Sequence, residues 1–422
     1  MSAPVPLSLA PDAKPPGPRI TPASRGPAGQ GGHALVAGLV EPLVTGNRVE
    51  LLQDGPRTYA AMFEAIDQAR HHINLESYIL EADGPGEEFA RRLIARARAG
   101  VRVNVLYDSF GSIATPAAYF DHLRANGVAV CEYNPLRRLG NLLSRALHLR
   151  DHRKLMVVDG RIGFIGGVNI SPVYASGSSP LAVLAASDAA PVRPGWRDTH
   201  MRVEGPIVAQ LQRLFMRHWA RHSPIALRGD GYLPPLAPAG TQRVALAACD
   251  AGRRRNPFYR ALLSALDAAQ ERIYLTTAYL VPTRRLMRAL VRAARRGVDV
   301  HLLLPGISDF WAPLQAGRSH YSRLLRAGVH LHELHDTLLH AKTCVIDGLW
   351  TTVGSSNLDW RSFLHNAEAN LVVLDAGLAQ EMERVFHADV GRSREIDRAQ
   401  WARRGWRQRL VEMVARRFEF FL

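Results

Sequence analysis

Apolar positions along this 422-residue chain fall in short runs that alternate between helical and strand-like spacing, and the alternation occurs twice. The stretch from Ala65-Ile66-Asp67 through Ile73-Asn74-Leu75 to Tyr78 returns as Ala265-Leu266-Asp267 through Ile273-Tyr274-Leu275 to Tyr279, each reading as a helix followed by a strand. A helical stretch ending at Gly100 and the strand Val101 to Tyr107 are matched by one ending at Gly297 and the strand Val298 to Leu304. Leu123-Arg124-Ala125, Gly127-Val128 and Glu132 match Leu325-Arg326-Ala327, Gly328-Val329 and Glu333. Strand and helix alternating in this way predict an α/β architecture of two similar domains, each a mixed β-sheet flanked by helices. Later in each half an apolar run stops at Asp159-Gly160 or Asp347-Gly348 and a second apolar run follows, which predicts a hairpin.

The segment 227–242 contains Gly229-Asp230-Gly231 and Pro234-Pro235 and reads as a linker between a first domain at 40–226 and a second at 243–398. Residues 1–39, rich in Pro and Gly at their start, read as a disordered tail without the cationic start and continuous apolar stretch of a secretory signal. No run of about 18 apolar residues is present, so any membrane attachment is expected to be peripheral.

Composition narrows the partners. A formal net charge of +15 favours polyanionic surroundings, either nucleic acid or a membrane rich in anionic lipid. Three cysteines, Cys131, Cys249 and Cys344, lie far apart and read as buried thiols in a reducing compartment. Lysine is rarer still than this basic charge suggests, with only Lys14, Lys154 and Lys342 among 53 basic residues.

Two of those lysines stand in matched motifs. His152, Lys154, Asp159, Gly166 and Asn169 recur as His340, Lys342, Asp347, Gly354 and Asn357, every pair at an offset of 188. Chance supplies about 0.1 H-x-K tripeptides in a chain of this composition, before the other three positions are required. A compact ammonium that presses on one oxygen, kept where arginine is otherwise used, points to a phosphate site. Bringing the halves together about an approximate two-fold axis would set two imidazoles and two ammoniums around one point between the domains. Asp159 and Asp347 belong to the motif and hence to the candidate catalytic set, yet each opens an Asp-Gly turn and reads more naturally as turn-forming.

The paired H-x-K-x4-D-x6-G-x2-N pattern resembles the phospholipase D superfamily and spans both halves. The stretches Gly46-Asn47-Arg48-Val49-Glu50-Leu51-Leu52, Asp151-His152-Arg153-Lys154, Trp196-Arg197-Asp198-Thr199-His200 and Ser356-Asn357-Leu358-Asp359-Trp360-Arg361-Ser362 are similar to bacterial cardiolipin synthases. The resemblance implies two phospholipase D-like domains, a phosphatidyl transfer through phosphohistidine, and no metal or cofactor. It implies His152 as nucleophile and His340 as acid and then base. Lys154, Lys342, Asn169, Asn357 and Ser355 would hold the non-bridging phosphate oxygens. Glu368 and Asp198, carboxylates downstream of the motifs, would orient the histidines; alternatively they are ion-pair carboxylates. The first motif has Gly166-Gly167 where the second has Gly354-Ser355, so any hydroxyl contribution is expected from Ser355 alone.

Two insertions mark the first half. Leu136 to Arg150 sets leucines at helical spacing beside arginines, either packing on a core or lying on anionic lipid, and Tyr174 to Gly195 reads as a flap. Residues 399–422 carry arginines interleaved with Trp401, Trp406, Phe418, Phe420 and Phe421, and read as a basic amphipathic membrane-contact segment. The expected enzyme is a phosphatidyltransferase making cardiolipin, with phosphatidylglycerol as acceptor and donor and phosphatidylethanolamine as a second donor. It is expected at the cytoplasmic side of a bacterial inner membrane. A phosphodiesterase or nuclease using water is the alternative, with nucleic acid disfavoured by the apolar-basic segments.

Overall fold

Among the described residues, fifteen strands form one sheet whose order mirrors itself about its middle. A computed structural model describes residues 31–136, 148–178, 195–253 and 256–419. The strands of the first half are β1 (Val44–Gln53), β2 (His72–Ser77), β3 (Arg102–Asp108), β4 (Ala129–Tyr133), β5 (Leu155–Val158), β6 (Ile162–Gly166) and β7 (Thr199–Glu204). Those of the second are β8 (Gln242–Cys249), β9 (Arg272–Thr276), β10 (Asp299–Pro305), β11 (His330–Leu334), β12 (Thr343–Ile346), β13 (Trp350–Gly354) and β14 (Glu368–Leu374), with β15 (Arg394–Glu395) added at one edge. Reading outward from the centre, β1-β7-β6-β5-β2-β3-β4 is answered by β8-β14-β13-β12-β9-β10-β11. In each half three strands are parallel, β2-β3-β4 and β9-β10-β11, and the rest run antiparallel.

Local chemistry explains these elements. Every residue of β2 is buried, as expected of a strand covered on both faces. The helix Arg284–Arg295 buries Leu286, Met287, Leu290 and Val291 and turns its arginines outward; Thr283 caps it by accepting the Leu286 N–H. Two outer cores lie one in each half, but the third is shared. There Leu211, Phe215 and Trp219 of helix Val208–His222 and Leu378, Met382 and Phe386 of helix Ala376–Gly391 meet strands of both halves. The two halves are therefore one packed unit, and β1 and β8 carry the sheet across between them.

One boundary differs from the sequence reading. Gly31–Val36 is helical and lies against the helix Pro257–Ala268, with Leu35 buried in the second half's core, because that apolar side chain finds a complementary face far along the chain. The tail of 1–39 thus loses its last residues to the fold, and 1–30 fall outside the described residues. The linker is held down as well: Tyr232 is buried, with its ring 4.4 Å from that of His72 and the Arg102 guanidinium above it.

Candidate active site

The motif segments lie at the C-terminal ends of the parallel strands, where Lys342 precedes the Thr343–Thr276 pairing of β12 with β9. Each is clasped by backbone bonds to the opposite half. His152 N donates to Ala367 O at 2.9 Å and Ala367 N to Arg150 O at 2.8 Å; His340 N donates to Arg197 O at 2.8 Å and Arg197 N to Leu338 O at 2.9 Å. Both histidines and both lysines are held just ahead of the hairpin's first strand rather than on it, since β5 starts at Leu155 and β12 at Thr343. Arg153, between two site residues, is fully buried among Glu76, Asp250 and the Cys249 carbonyl.

This clasp delivers a carboxylate from each half to the other half's histidine. His152 Nδ1 faces Glu368 Oε2 at 3.2 Å and the Ser355 carbonyl at 3.0 Å. His340 Nδ1 faces Asp198 Oδ2 at 2.6 Å and the Tyr174 hydroxyl at 3.1 Å. With Nδ1 so engaged, Nε2 is left for chemistry on either ring. Lys154 and Lys342 each donate to the carbonyl of their own motif histidine. Lys154 also sits 5.1 Å from the centre of the Tyr78 ring.

Burial sets the electrostatics. It lowers the Lys154 pKa to about 7, with Lys342 adding repulsion and Glu368 opposing, and lowers Lys342 to about 8 against the attraction of Asp198 and Glu368. His152 is depressed by burial and by the Lys154 ammonium, and His340 further, by burial, Lys342 and Lys154. Burial raises Asp198; it also pushes Glu368 upward, but there the charge and hydrogen bond of His152, the Lys154 ammonium and the Ser355 hydroxyl together outweigh it and hold the carboxylate low. The mutual influence of His152, His340, Lys154 and Lys342 marks them as one constellation, in which two buried ammoniums stand ready to meet an anion.

Other candidates stand elsewhere than the sequence suggested. Asp159 and Asp347 occupy the left-handed turn positions (φ 53° and 52°) at the far end of each hairpin. Asp159 accepts the N–H groups of Arg70, His71 and His72, and Asp347 those of Gln270, Glu271 and Arg272, so both leave the candidate catalytic set as turn anchors. Ser355 does not present its hydroxyl to a phosphate: Oγ donates to Glu368 and accepts from Ala369 N, which fixes the carboxylate. Asn169 takes the Ile79 N–H on Oδ1 and donates from Nδ2 to the Tyr174 hydroxyl at 3.2 Å. Asn357 keeps a buried Oδ1 without a hydrogen-bond partner among the described residues.

Tyr174 is the residue that sequence reasoning missed. It opens the segment that reads as a flap, yet it is fully buried, and its ring meets those of His340 and Trp196. It also explains the Gly166-Gly167 asymmetry. A Cβ on Gly167 would lie 2.0 Å from Asp198 Oδ1, so no serine fits there, and the hydroxyl near this histidine comes from Tyr174 instead. Residues 179–194 of the proposed flap and 137–147 of the proposed basic helix lie outside the described residues. Arg150, at the end of that helix segment, is buried 3.7 Å from Asp108.

Comparison with known proteins agrees with this geometry. The family model described as "Cardiolipin synthase, PLD-like domain" matches twice, at residues 62–190 and 262–390. The chain is 33% identical to a cardiolipin synthase of Geobacillus kaustophilus over 377 residues, covering 89% of this chain and 72% of that one. It is 37% identical to cardiolipin synthase A of Pseudomonas aeruginosa, covering 87% and 72%. In fold it is similar to the phosphatidylserine synthase of Haemophilus influenzae Rd KW20, with a TM-score of 0.69 at 14% identity over 93% of this chain and 100% of that one.

Proposed function

The chain belongs to the cardiolipin synthase family of the phospholipase D superfamily, and from that premise we propose that it makes cardiolipin, moving a phosphatidyl group from one phospholipid to the glycerol hydroxyl of phosphatidylglycerol through a phosphohistidine. The observation that carries this reading is the exchange of carboxylates between halves, Glu368 to His152 and Asp198 to His340.

In the first step His152 Nε2 attacks phosphorus while the bond from phosphorus to the donor's headgroup oxygen breaks. Glu368, held as a carboxylate, takes the hydrogen bond from Nδ1–H and steadies the positive charge that grows on the ring. The departing alkoxide takes a proton from His340 Nε2. Burial and the two lysine ammoniums hold His340 neutral, and the negative diester supplies the field that lets it carry this proton. In the second step the glycerol hydroxyl of phosphatidylglycerol attacks the phosphohistidine, gives its proton to His340, and displaces His152. Lys154, Lys342 and Asn357 hold the non-bridging oxygens throughout. Two phosphatidylglycerols thereby give cardiolipin and glycerol; phosphatidylethanolamine as donor would release ethanolamine.

The same reading sets the enzyme against an anionic bilayer, peripherally, at the cytoplasmic side of a bacterial inner membrane. No helix among the described residues is long and apolar enough to cross a membrane. Support for surface contact comes from the helix Trp406–Arg417, which exposes Trp406, Leu410, Met413 and Val414, with Phe418 exposed just after it. Exposed Phe110 and Ile113 after β3, and Ile307 and Phe310 after β10 with Trp311 at the start of the helix that follows, occupy matched positions at the end of the sheet that bears the histidines.

Purified protein incubated with phosphatidylglycerol vesicles, alone and with phosphatidylethanolamine, should yield cardiolipin detected by mass spectrometry, and His152→Ala should yield none. Phosphatidic acid as the product would instead identify water as the acceptor. Cleavage of DNA without a lipid product would replace the lipid reading by a nuclease.

A further inference from the structure

One cluster of ligand-bearing side chains takes no part in this chemistry. Asp299 and His301 alternate on β10, and His330 and His332 alternate on β11, so each pair projects on one face of its strand. Parallel pairing puts His301 opposite His330, at the ends of β10 and β11 remote from the catalytic motifs. We propose that Asp299, His301 and His330 form a binding site for one divalent transition-metal cation of the zinc type.

One donor atom from each of the three lies within 4.8 Å of the other two, and His301 Nε2 is 2.9 Å from Asp299 Oδ1. Two imidazoles and a carboxylate are a donor set suited to zinc and its neighbours, with remaining positions left to water. Each imidazole is also backed on its other nitrogen, as metal-bound histidines are. His301 Nδ1 meets His332 Nε2 at 3.0 Å with the rings nearly coplanar, and His330 Nδ1 meets Glu395 Oε1 at 3.0 Å, which leaves His330 Nε2 as its ligand atom. The other three-ligand cluster, Glu76, Asp151 and His218, already holds the Arg153 guanidinium and differs in this respect.

The internal repeat acts as a control. The positions equivalent to Asp299, His301, His330 and His332 in the first half are Arg102, Asn104, Ala129 and Cys131, so the fold at this place does not require the cluster. A cation here would tie β15, through Glu395, to its neighbour β11 and to β10 beyond it.

The test is calorimetric titration of Zn2+ into the full chain after removal of bound metal. One equivalent should bind, and the same equivalent should bind to a His152→Ala/His340→Ala variant. His301→Asn and His330→Ala, which install the first half's own residues, should each abolish that equivalent while melting cooperatively. Glu395→Gln should weaken it on the order of 10- to 100-fold. Absence of binding, or binding that survives in His301→Asn and disappears with the catalytic histidines, would overturn the site.

Discussion

Replacing Tyr174 by phenylalanine isolates one oxygen at the catalytic centre. The ring contacts with Trp196 and His340 are kept, and only the hydroxyl that stands 3.1 Å from His340 Nδ1 and 3.2 Å from Asn169 Nδ2 is lost. A neutral hydrogen bond contributes about 1 kcal/mol, and a factor of ten in rate corresponds to about 1.4 kcal/mol, so kcat should fall roughly 3- to 10-fold. KM should hold, because the hydroxyl touches the histidine rather than a site for phosphate oxygen. Asn169 is left with a buried unpaired N–H, and stability should drop by about 1–3 kcal/mol in the same variant. Losing an acceptor at Nδ1 makes the imidazolium less stable and lowers the His340 pKa. In the proposed mechanism His340 must be protonated to release the donor headgroup, so the falling limb of the pH–rate profile should move to lower pH. The assay is initial-rate cardiolipin formation on phosphatidylglycerol vesicles, with kcat and KM separated across pH. A variant with unaltered kcat and profile, or with its loss confined to KM, refutes a positioning role for Tyr174.

The buried lysines make anion binding pH-dependent: with Lys154 lowered to about 7 and Lys342 to about 8, affinity for inorganic phosphate should weaken as pH rises through that window, measurable by titration. The sign for stability is the reverse, since these two groups are protonated more readily in the unfolded chain, and their contribution in the empty protein rises from pH ~7 to ~10. Gly167→Ser forces its Cβ onto Asp198 and should reduce kcat by roughly 100-fold, since displacement of about 1 Å at such a site suffices for that loss; activity near wild type would dismiss the steric account. Leu410→Glu with Met413→Glu should lower vesicle binding by roughly tenfold or more while leaving activity on detergent-dispersed lipid, and unchanged co-sedimentation would exclude this helix as a contact.

The repeat made the sheet's mirror order legible, because helix and strand periods are local and both copies carry them. Two things hid from that reading. The shared core depends on residues such as Phe215 and Phe386, whose amphipathic helices give no sign of packing in one common layer. Side-chain direction was equally hidden: Ser355 and Asn169 are of the type that binds phosphate, and only three-dimensional proximity reveals that each instead holds another site residue. Tyr174 had no periodic or motif signal, since its role follows from the space that Asp198 takes beside Gly167.

The exchange of carboxylates has a consequence for how two similar halves can do unequal work. Each motif histidine takes its carboxylate from across the junction, so neither half contains a complete motif imidazole–carboxylate pair of its own. Identical surroundings would give both rings the same proton affinity, whereas transfer requires one ring as nucleophile and the other as acid. The differences lie in the second acceptors and carboxylates: Glu368 is pinned by Ser355 and held ionised, while Asp198, fixed by Thr199 N–H at 2.7 Å, is raised by burial and shares its histidine with the Tyr174 hydroxyl. An ionised partner on His152 favours positive charge accumulating there as phosphorus is attacked. Asp198, whose ionised form is disfavoured by burial, opposes a standing charge on His340 until the diester arrives. In the mechanism proposed above, the asymmetry between Gly167 and Ser355 is thus the point at which a duplicated fold would assign two different roles to the same motif.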